Sequence, residues 1–502
     1  MRLGASIQRR EFLKLSTSSL VGGRALRFPL CNVDAALALP IEHLVSQFET
    51  GDGQVYTRSS TDYYRLMAFY NKRFECITPE VLIYCRTAKG VAKAVQWCVQ
   101  YGLEFSLRSG GHCYEGLSRS VSVIIDVRGL NAIEFNPINH VLRVGSGVAL
   151  KDIYRTVAPA GQAIPAGTCP TVGIAGHATA GGIGFFVRQF GLAIDKLTSA
   201  ELVTADGQII VASAQLHPDL FWALRGAGSA GFGVVTMLEF KTQDVPQAYT
   251  HNYEATVSQG AAERFLMKWQ DWVDKAPKDM SSVVFLRKQP QTRLFFVQVR
   301  GLTISQDRLV KRGLTRVTRE FNPRVRPVLQ KRNFLQTFEW FSGEEDFSPT
   351  YEKGKSDIVK AAWNSRQVQF LLNQLPASVD VEITALGGAM HEIPWDQTAF
   401  PHRDGSKLLI QWGVSWTRSE QSRRLLNELN DFFVKIRPIM SSAAFLNYAD
   451  RDLPNPAKAY WGSNLDRLIE VKRKYDPHNI FRHALSVPLQ LDVPIPKASN
   501  CS

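Results

Sequence analysis

The sequence predicts an α+β protein made of two differently patterned units within its 502 residues. From about residue 80 to residue 240, the pattern alternates between short β-branched strands and helix. After about residue 245, long amphipathic helices are mixed with separate strands, which indicates an antiparallel sheet covered by helices on one face. Apolar residues make up 45% of the chain and charged residues 21%, so a disordered, collagen-like or polytopic membrane protein is excluded.

The first unit is predicted from short apolar runs bounded by turn residues. Residues 81–84 are typical of a buried strand, and a helix follows in which apolar residues recur at helical spacing from Val91 to Cys98. A hairpin is predicted at residues 201–211, because Asp206-Gly207 is a favoured turn pair. The other predicted strands are at residues 105–107, 121–127, 141–144 and 232–240.

The second unit is predicted to contain helices at residues 261–275, 357–375 and 420–436. Its predicted strands are at residues 283–286, 294–299, 379–383 and 408–416. In the last of these strands, alternation places Gln411 on one face and Trp412 on the other. Residues 441–489 are rich in aromatic residues, Asn and Pro, and are predicted to be irregular and packed.

Charge and cysteine content disfavour two other classes of protein. The net charge is +13, but the Lys and Arg residues are scattered and no nucleic-acid-binding motif occurs, so nucleic acid is not an expected partner. Seven cysteines without a CxxC pair are too few for a disulfide framework or a structural zinc site. The spacing of His112, Cys113, Cys169 and His177 matches no common metal site, so no metal is expected.

The first 38 residues are predicted to be a targeting segment. Arg9-Arg10 and Phe12-Leu13-Lys14 precede a moderately apolar stretch, and Ala36-Leu37-Ala38 is a small-x-small cleavage site. This pattern resembles a bacterial twin-arginine signal and predicts a secreted or periplasmic protein. A surface helix of a cytoplasmic protein is the alternative. No other run of 18 uncharged apolar residues occurs, so no integral membrane segment is expected.

Two glycine-rich segments carry the strongest chemical signal. Residues 107–116 directly follow a predicted strand and contain Gly110-Gly111, where consecutive backbone amides can bind a pyrophosphate. Residues 167–184 contain six glycines, which implies close approach of the backbone to a flat or charged group. Neither segment is a Walker loop or a Rossmann fingerprint. Glycine content alone therefore favours phosphate binding only narrowly over structural turns.

His112 and Cys169 lie inside these two loops, and such a pair suggests covalent attachment of a cofactor. At this point the chain resembles the FAD-linked oxidases of the berberine bridge enzyme-like group, in the vanillyl alcohol oxidase and p-cresol methylhydroxylase (PCMH) superfamily. The resemblance covers residues 70 to 490. Its motifs are Arg108-Ser109-Gly110-Gly111-His112, residues 167–173 with Gly176-His177, and residues 232–236, 447–450, 460–464 and 475–481.

The resemblance implies an FAD-binding domain of the PCMH type in two parts, residues 70–245 and 441–490, around a substrate domain at residues 246–440. FAD would be bound twice, through His112 to its 8α-methyl group and through Cys169 to its C6. The other residues that the resemblance assigns to the cofactor are Arg108, Ser109, Gly110, Gly111, Thr171, Val172, Gly173, Gly176, His177, Gly182, Val234 and Asn479.

The resemblance also implies an oxidase that takes hydride from a CH–OH group of a sugar or secondary metabolite and passes electrons to oxygen. Tyr448 would be the catalytic base, although its phenol, with an ordinary pKa of about 10, must be made more acidic to act at neutral pH. Gln411 is a second catalytic candidate, with a satisfied core glutamine as the alternative. Val172 favours oxygen as the acceptor, because a small side chain there leaves room beside the flavin in similar proteins. A dehydrogenase and a non-catalytic binding protein on the same fold are the alternative functions.

Overall fold

The computed structural model describes residues 40–48, 51–228, 231–245, 247–305, 308–322, 324, 327–343 and 348–491. The predicted export signal lies outside these residues. Among them, no helix is both long enough and apolar enough to cross a membrane. Cys76 forms a disulfide. Cys85, Cys98, Cys113 and Cys169 are thiols.

The first unit begins with a four-stranded sheet in the order β1-β2-β4-β3, in which β4 pairs in parallel with both β2 and β3. The elements are α1 Ile41–Gln47, β1 Gly53–Thr57, α2 Tyr63–Leu66, β2 Val81–Cys85, α3 Ala88–Gln100, β3 Phe105–Arg108 and β4 Val123–Asp126. Helix α3 starts where Thr87 accepts a hydrogen bond from the Gly90 amide at 3.0 Å. The predicted strand–helix–strand pattern is confirmed here by β2, α3 and β3. The first glycine-rich loop directly follows β3, as predicted.

A second, antiparallel sheet of the first unit has the order β5-β6-β10-β8-β9. Its strands and the intervening elements are β5 Ile133–Asn136, β6 Val141–Gly145, α4 Leu150–Val157, β7 Gln162–Ala163, α5 Ile174–Thr179, α6 Val187–Phe190, β8 Leu197–Val203, β9 Ile209–Ser213, α7 Pro218–Leu224, β10 Val234–Lys241 and β11 Gln243–Asp244. The predicted hairpin is confirmed as β8 and β9. The second glycine-rich segment passes through α5.

The second unit is a seven-stranded antiparallel sheet in the order β15-β12-β14-β13-β17-β18-β16. Its elements are β12 Ala248–Ser258, α8 Gln259–Lys275, β13 Met280–Lys288, β14 Leu294–Thr303, α9 Arg308–Thr318, β15 Gln330–Arg332, α10 Phe334–Ser342, β16 Tyr351–Val359, α11 Ser365–Gln374, β17 Asp380–Ala385, β18 Leu408–Trp416 and α12 Ser422–Ile436. Trp412 is buried against Phe432 of α12, whereas Gln411 faces the opposite side of the sheet. The predicted alternation along β18 is therefore confirmed.

The helix predicted at residues 357–375 is wrong in its first part. Residues up to Val359 belong to β16, which pairs with β18 over nine residues, and α11 starts only after Asn364. Asn364 and Gln367 form a capping box that marks this start. A run as short as residues 357–359 does not distinguish a helical from a strand pattern, so its pairing with β18 determined its conformation.

The C-terminal segment is packed as predicted, but it is not irregular throughout. It contains α13 Pro456–Trp461 and α14 Leu465–Tyr475. Pro456 occupies the first turn of α13 and Asn455 caps it by accepting from the Lys458 amide, so these residues mark a helix start. The buried Lys472 of α14 donates to the Gly231 carbonyl at 2.6 Å, which attaches the segment to the first unit.

Candidate active site

A cavity of about 550 Å³ is lined by the glycine-rich loops, one face of the seven-stranded sheet and the C-terminal segment. One side, which we call the loop wall, is formed by residues 107–113, 117 and 118 and by several residues of the segment 167–187. A second side, the sheet wall, is formed by strand residues of the seven-stranded sheet together with Tyr114 and residues 445–449. Most of the predicted cofactor residues lie in the loop wall, and both predicted catalytic residues lie in the sheet wall.

The two glycine-rich loops contact each other through their backbones. A Cβ atom on Gly173 would lie 2.9 Å from the Gly110 Cα and even closer to the Gly110 amide nitrogen. Gly111 has a φ of +73°, which favours glycine. Ser109 donates to the Ser146 carbonyl at 2.6 Å. Glycine is therefore required for the contact between the two loops, whether or not a cofactor is bound.

Gly176 differs from Gly173 because it borders the open cavity. A Cβ atom on Gly176 would have no neighbour within 4 Å. The loop around it is held by the Gly167 amide, which donates to Nε2 of His177 at 2.8 Å. Burial lowers the pKa of His177 to about 4, so its ring is neutral and can accept this bond. The loop wall thus has a preformed surface of small residues that fits a flat group such as a flavin ring.

His112 and Cys169 are brought together by Thr171. The Thr171 hydroxyl lies 2.9 Å from Nε2 of His112 and 3.9 Å from Sγ of Cys169. The His112 ring stacks on Tyr70 with centroids 4.4 Å apart. Burial lowers the pKa of His112 to about 4, so a neutral imidazole and a thiol face the same cavity. Both side chains are potential nucleophiles, so each could form a covalent bond to a group held in the cavity.

The remaining predicted cofactor residues differ in position. Val172 and Val234 line the cavity. Arg108 also borders it, but its guanidinium donates to the carbonyls of Leu66 and Ala68. That guanidinium therefore holds the neighbouring chain in place. The residues Thr171, Gly182 and Asn479 are not among those that line the cavity.

Asn447 is a site residue that the sequence reasoning did not single out. Its Oδ1 accepts from the Gly182 amide at 3.1 Å, and its Nδ2 donates to the carbonyls of Gly176 and His177 at 3.2 Å. One side chain from the C-terminal segment therefore binds three backbone groups of the second loop. The sequence feature that could have identified Asn447 is its position directly before Tyr448.

In the sheet wall, Tyr448 lies beside Tyr114 with the rings nearly parallel, 10° between their planes and 6.0 Å between centroids. Nε2 of Gln411 donates to the Tyr114 hydroxyl at 2.8 Å. Gln411 therefore contacts Tyr114, a residue that the sequence reasoning did not assign. Tyr114 lies two positions after His112, the last residue of the first motif, and both residues line the cavity.

The pKa of Tyr448 is shifted in the direction opposite to the one that a base requires. Burial raises the pKa of this phenol well above 10, and the charge of Glu382 raises it further. Tyr448 is therefore protonated at neutral pH in this structure. A proton can pass through its hydroxyl only if another group accepts the phenolic proton.

Two carboxyl groups in the sheet wall were missed by the sequence reasoning. Glu382 of β17 pairs with Gln411 of β18 and lines the cavity. Burial raises the pKa of Glu352 to about 8 against the charge of Arg73, and its Oε1 has no hydrogen bond among the described residues. Neither residue could be assigned to the cavity from the sequence. The face of the sheet that borders the cavity depends on the strand order, and β16, which carries Glu352, was not predicted.

Comparison with known proteins agrees with this geometry. The family described as "FAD binding domain" matches residues 79–213, and the family described as "Berberine and berberine like" matches residues 444–488. The chain is 31% identical to Berberine bridge enzyme-like 7 of Arabidopsis thaliana, over 83% of this chain and 87% of that protein. It is 26% identical to the FAD-linked oxidoreductase YgaK of Bacillus subtilis, over 87% of this chain and 97% of that protein.

Solved structures show the same likeness. BBE-like 1 of Physcomitrella patens has a TM-score of 0.82 and 27% identity, covering 90% of this chain and 99% of that one. A variant of berberine bridge enzyme in complex with (S)-reticuline has a TM-score of 0.83 and 25% identity, covering 90% of this chain and 99% of that one. The fold and the site thus define an FAD-linked oxidoreductase with an FAD-binding fold of the PCMH type. The chain belongs to the berberine bridge enzyme-like family.

Proposed function

We propose that this protein is an FAD-dependent oxidase that oxidises a CH–OH group of a sugar or a secondary metabolite and uses oxygen as the electron acceptor. Bound FAD supplies the hydride acceptor at N5 and transfers the electrons to oxygen, which gives hydrogen peroxide. The observation that carries this proposal is that His112 and Cys169, which both contact Thr171, line the same cavity as Tyr448 and the carboxyl group of Glu382.

The protein would hold the cofactor through two covalent bonds. His112 is neutral, so its ring has a lone pair with which to bond the flavin. Thr171 contacts both His112 and Cys169 and so sets the distance between the two tethers. Gly176 and the other small residues of the loop wall leave room for the ring, and Val172 leaves space for oxygen.

The sheet wall would handle the proton of the substrate hydroxyl. Tyr448 accepts that proton while its own phenolic proton passes to Glu382, since burial keeps the phenol neutral before the reaction. Gln411 orients Tyr114 through the bond at 2.8 Å, and the Tyr114 ring supports Tyr448 from one side. Positioning of this kind can supply several kcal/mol, roughly 7 or more in the best cases.

Two substrate classes are supported, one by a relative and one by the cavity lining. One relative, 29% identical over 80% of this chain, is a monolignol oxidoreductase of Arabidopsis thaliana. The sheet wall, with tyrosines beside carboxyl groups, also suits a sugar. We therefore choose coniferyl alcohol, an allylic aromatic alcohol, and cellobiose, a sugar, as test substrates.

Export through the twin-arginine signal at residues 1–38 is also part of the proposal. Its support is the motif that begins at Arg9-Arg10. Fractionation of the producing cells tests it: the protein is expected in the periplasm or the medium, and Arg9→Lys with Arg10→Lys should retain it in the cytoplasm. Cytoplasmic wild-type protein would contradict export.

The covalent bonds are tested by acid precipitation of the purified holoprotein. A yellow pellet is expected for the wild type and for His112→Ala and Cys169→Ser, because each single variant keeps one bond. The double variant should release all flavin into the supernatant. Yellow supernatant from the wild type would contradict covalent attachment, and a colourless preparation after FAD is supplied would contradict the oxidase itself.

The reaction is tested by mixing the holoprotein with each substrate without oxygen and following the flavin absorbance. Bleaching by coniferyl alcohol or by cellobiose identifies the class, and peroxide should form when oxygen is admitted. Reoxidation by an artificial acceptor but not by oxygen would indicate the dehydrogenase. Binding of either compound without bleaching would indicate a non-catalytic binding protein.

A further inference from the structure

Around β16, five buried charged side chains and one half-exposed carboxylate form a cluster, and we call it the lysine cluster. It is balanced, with three cations and three anions, and its members are Arg73, Lys353, Lys355, Glu115, Asp450 and Asp452. The side chains of Lys353, Lys355, Glu115 and Asp450 are each only 2% exposed. Charges buried to this extent require their partners, because an uncompensated buried charge is strongly destabilising.

Two of the three anions of the lysine cluster lie close in the chain to the two stacked tyrosines. Glu115 directly follows Tyr114, and Asp450 lies two residues after Tyr448. The tyrosines face the cavity, whereas their neighbours turn toward the cluster. The position of each tyrosine is therefore coupled to the position of one buried carboxylate.

Lys353 contacts both of these carboxylates. Its ammonium bonds Glu115 and lies 2.6 Å from Oδ1 of Asp450. Burial lowers the pKa of Lys353, but the carboxylates outweigh this effect and the net shift is upward, so the ammonium stays charged. Lys355 bonds Asp450 and Asp452, at 3.0 and 2.9 Å. Among the described residues, Lys353 alone pairs with an anion beside each tyrosine.

The same strand also contacts Tyr114 on the cavity side. A Cβ atom on Gly354 would lie 2.6 Å from Cε2 of Tyr114, so the ring packs directly on the strand backbone. Asn71 adds a bond from its Nδ2 to the Tyr114 carbonyl at 3.1 Å. Tyr114 is thus held against β16, while Tyr448 depends on the segment that carries Asp450.

We propose that Lys353 is the positioning residue that sets the stack of Tyr114 on Tyr448, because its single ammonium bonds the carboxylate close in the chain to each of them. The kinetic part of this inference rests on the proposed function, in which Tyr448 carries the substrate proton. The structural part does not, because the relative position of the two rings can be measured without substrate.

The test uses holoprotein labelled with 3-fluorotyrosine and fluorine NMR. Tyr114→Phe and Tyr448→Phe assign the two resonances. Lys353→Met should shift both resonances by more than a linewidth. Lys355→Met is the matched control: it removes an equally buried lysine that does not pair with Glu115, so the Tyr114 resonance should stay in place. Unshifted resonances in Lys353→Met, or an equal shift of Tyr114 in Lys355→Met, would overturn the proposal.

A second variant covers the case in which Lys353→Met does not fold. The double variant Lys353→Met with Glu115→Gln removes one cation and one anion, so the lysine cluster stays balanced. Both resonances should again be shifted, because neither residue can hold the Tyr114 loop to the Asp450 segment. Resonances at the wild-type positions would overturn the proposal.

The kinetic readout is flavin reduction by coniferyl alcohol or cellobiose, whichever bleaches the wild type. In Lys353→Met, the limiting rate should fall by about 10²-fold, the size expected for a displacement of about 1 Å, with an unchanged half-saturating concentration. In a Tyr448→Phe background, the same substitution should have no further effect. An equal loss in both backgrounds would overturn the proposal. If neither compound bleaches the flavin, the proposed function loses its support, while the resonances still decide the role of Lys353.

Discussion

The two walls of the cavity are stabilised by different kinds of interaction. The loop wall is held by backbone contacts between glycines, such as Gly110 and Gly173, and its histidines are neutral. The sheet wall presents side chains from alternate strand positions, and its tyrosines and carboxyl groups interact through hydrogen bonds and charge. Substitutions in the loop wall should therefore affect folding and cofactor binding, whereas substitutions of the tyrosines in the sheet wall should affect the reaction.

The largest effect is expected for Tyr448→Phe. Removal of the hydroxyl takes away the proposed proton carrier, and the limiting rate of flavin reduction should fall by about 10²- to 10⁴-fold. The thermal midpoint should stay the same, because the ring packing against Tyr114 and Phe445 is kept. The control is Tyr114→Phe, which loses the bond from Gln411 and should slow reduction less. Equal slowing by both variants, measured by stopped-flow absorbance, would remove the distinction between the two tyrosines.

The next largest effect is expected for Gly173→Ala in the loop wall. The added methyl group would overlap the backbone of Gly110, so the free energy of unfolding should fall by about 3 kcal/mol or more. Gly176→Ala is the matched control within the same loop, and its methyl group would meet only the open cavity. That variant should unfold like the wild type but bind less flavin. Urea unfolding and the flavin absorbance per protein distinguish the two, and equal unfolding energies would contradict the comparison.

A smaller effect is expected for Asn447→Ala, which removes a link between the two walls. The Gly182 amide and two carbonyl groups would lose their partner, and the free energy of unfolding should fall by about 1–3 kcal/mol. Asn447→Asp is the comparison variant, because it keeps the acceptor for the Gly182 amide but turns a carboxylate oxygen toward the two carbonyl groups. If it unfolds at a higher urea concentration than Asn447→Ala, the bond to Gly182 outweighs this repulsion. An Asn447→Ala variant as stable as the wild type would contradict the predicted link.

The smallest effect, counted per pH unit, is expected for Glu352→Gln, because this effect accumulates gradually as the pH changes. Because burial raises the pKa of Glu352 from 4.5 to about 8, the folded protein keeps a proton that the unfolded chain releases between these values. The wild type therefore loses stability as pH rises through this window, by up to about 1.4 kcal/mol per pH unit, and no further above about 8.

Glutamine has no proton to release, so the stability of Glu352→Gln relative to the wild type should increase from pH 5 to pH 8. The control is Glu80→Gln, at an exposed position, which should show a constant difference. Urea unfolding at several pH values measures both. A difference between Glu352→Gln and the wild type that does not change with pH would contradict the burial argument.

More residues of the loop wall than of the sheet wall could be predicted from the sequence. The motifs around His112 and Cys169 are continuous segments whose glycines and nucleophiles can be recognised locally, and the structure brings these segments together. In the sheet wall, Tyr448 and Gln411 were found, but Glu352, Glu382 and Tyr114 were not. Because residues 357–375 were predicted to form one helix, the predicted sheet lacked β16. Glu352 and the lysine cluster therefore could not be located from the sequence.

The sequence by itself determined the α+β fold class and, through the resemblance of its motifs, the family, because both can be recognised in continuous segments of the chain. Only the tertiary structure decided which side chains share the cavity. Strand order places Glu382 next to Gln411, and burial keeps Tyr448 and Glu352 protonated. Pairing between distant strands and the loss of solvent around a group depend on the whole fold, so no local sequence pattern encodes them.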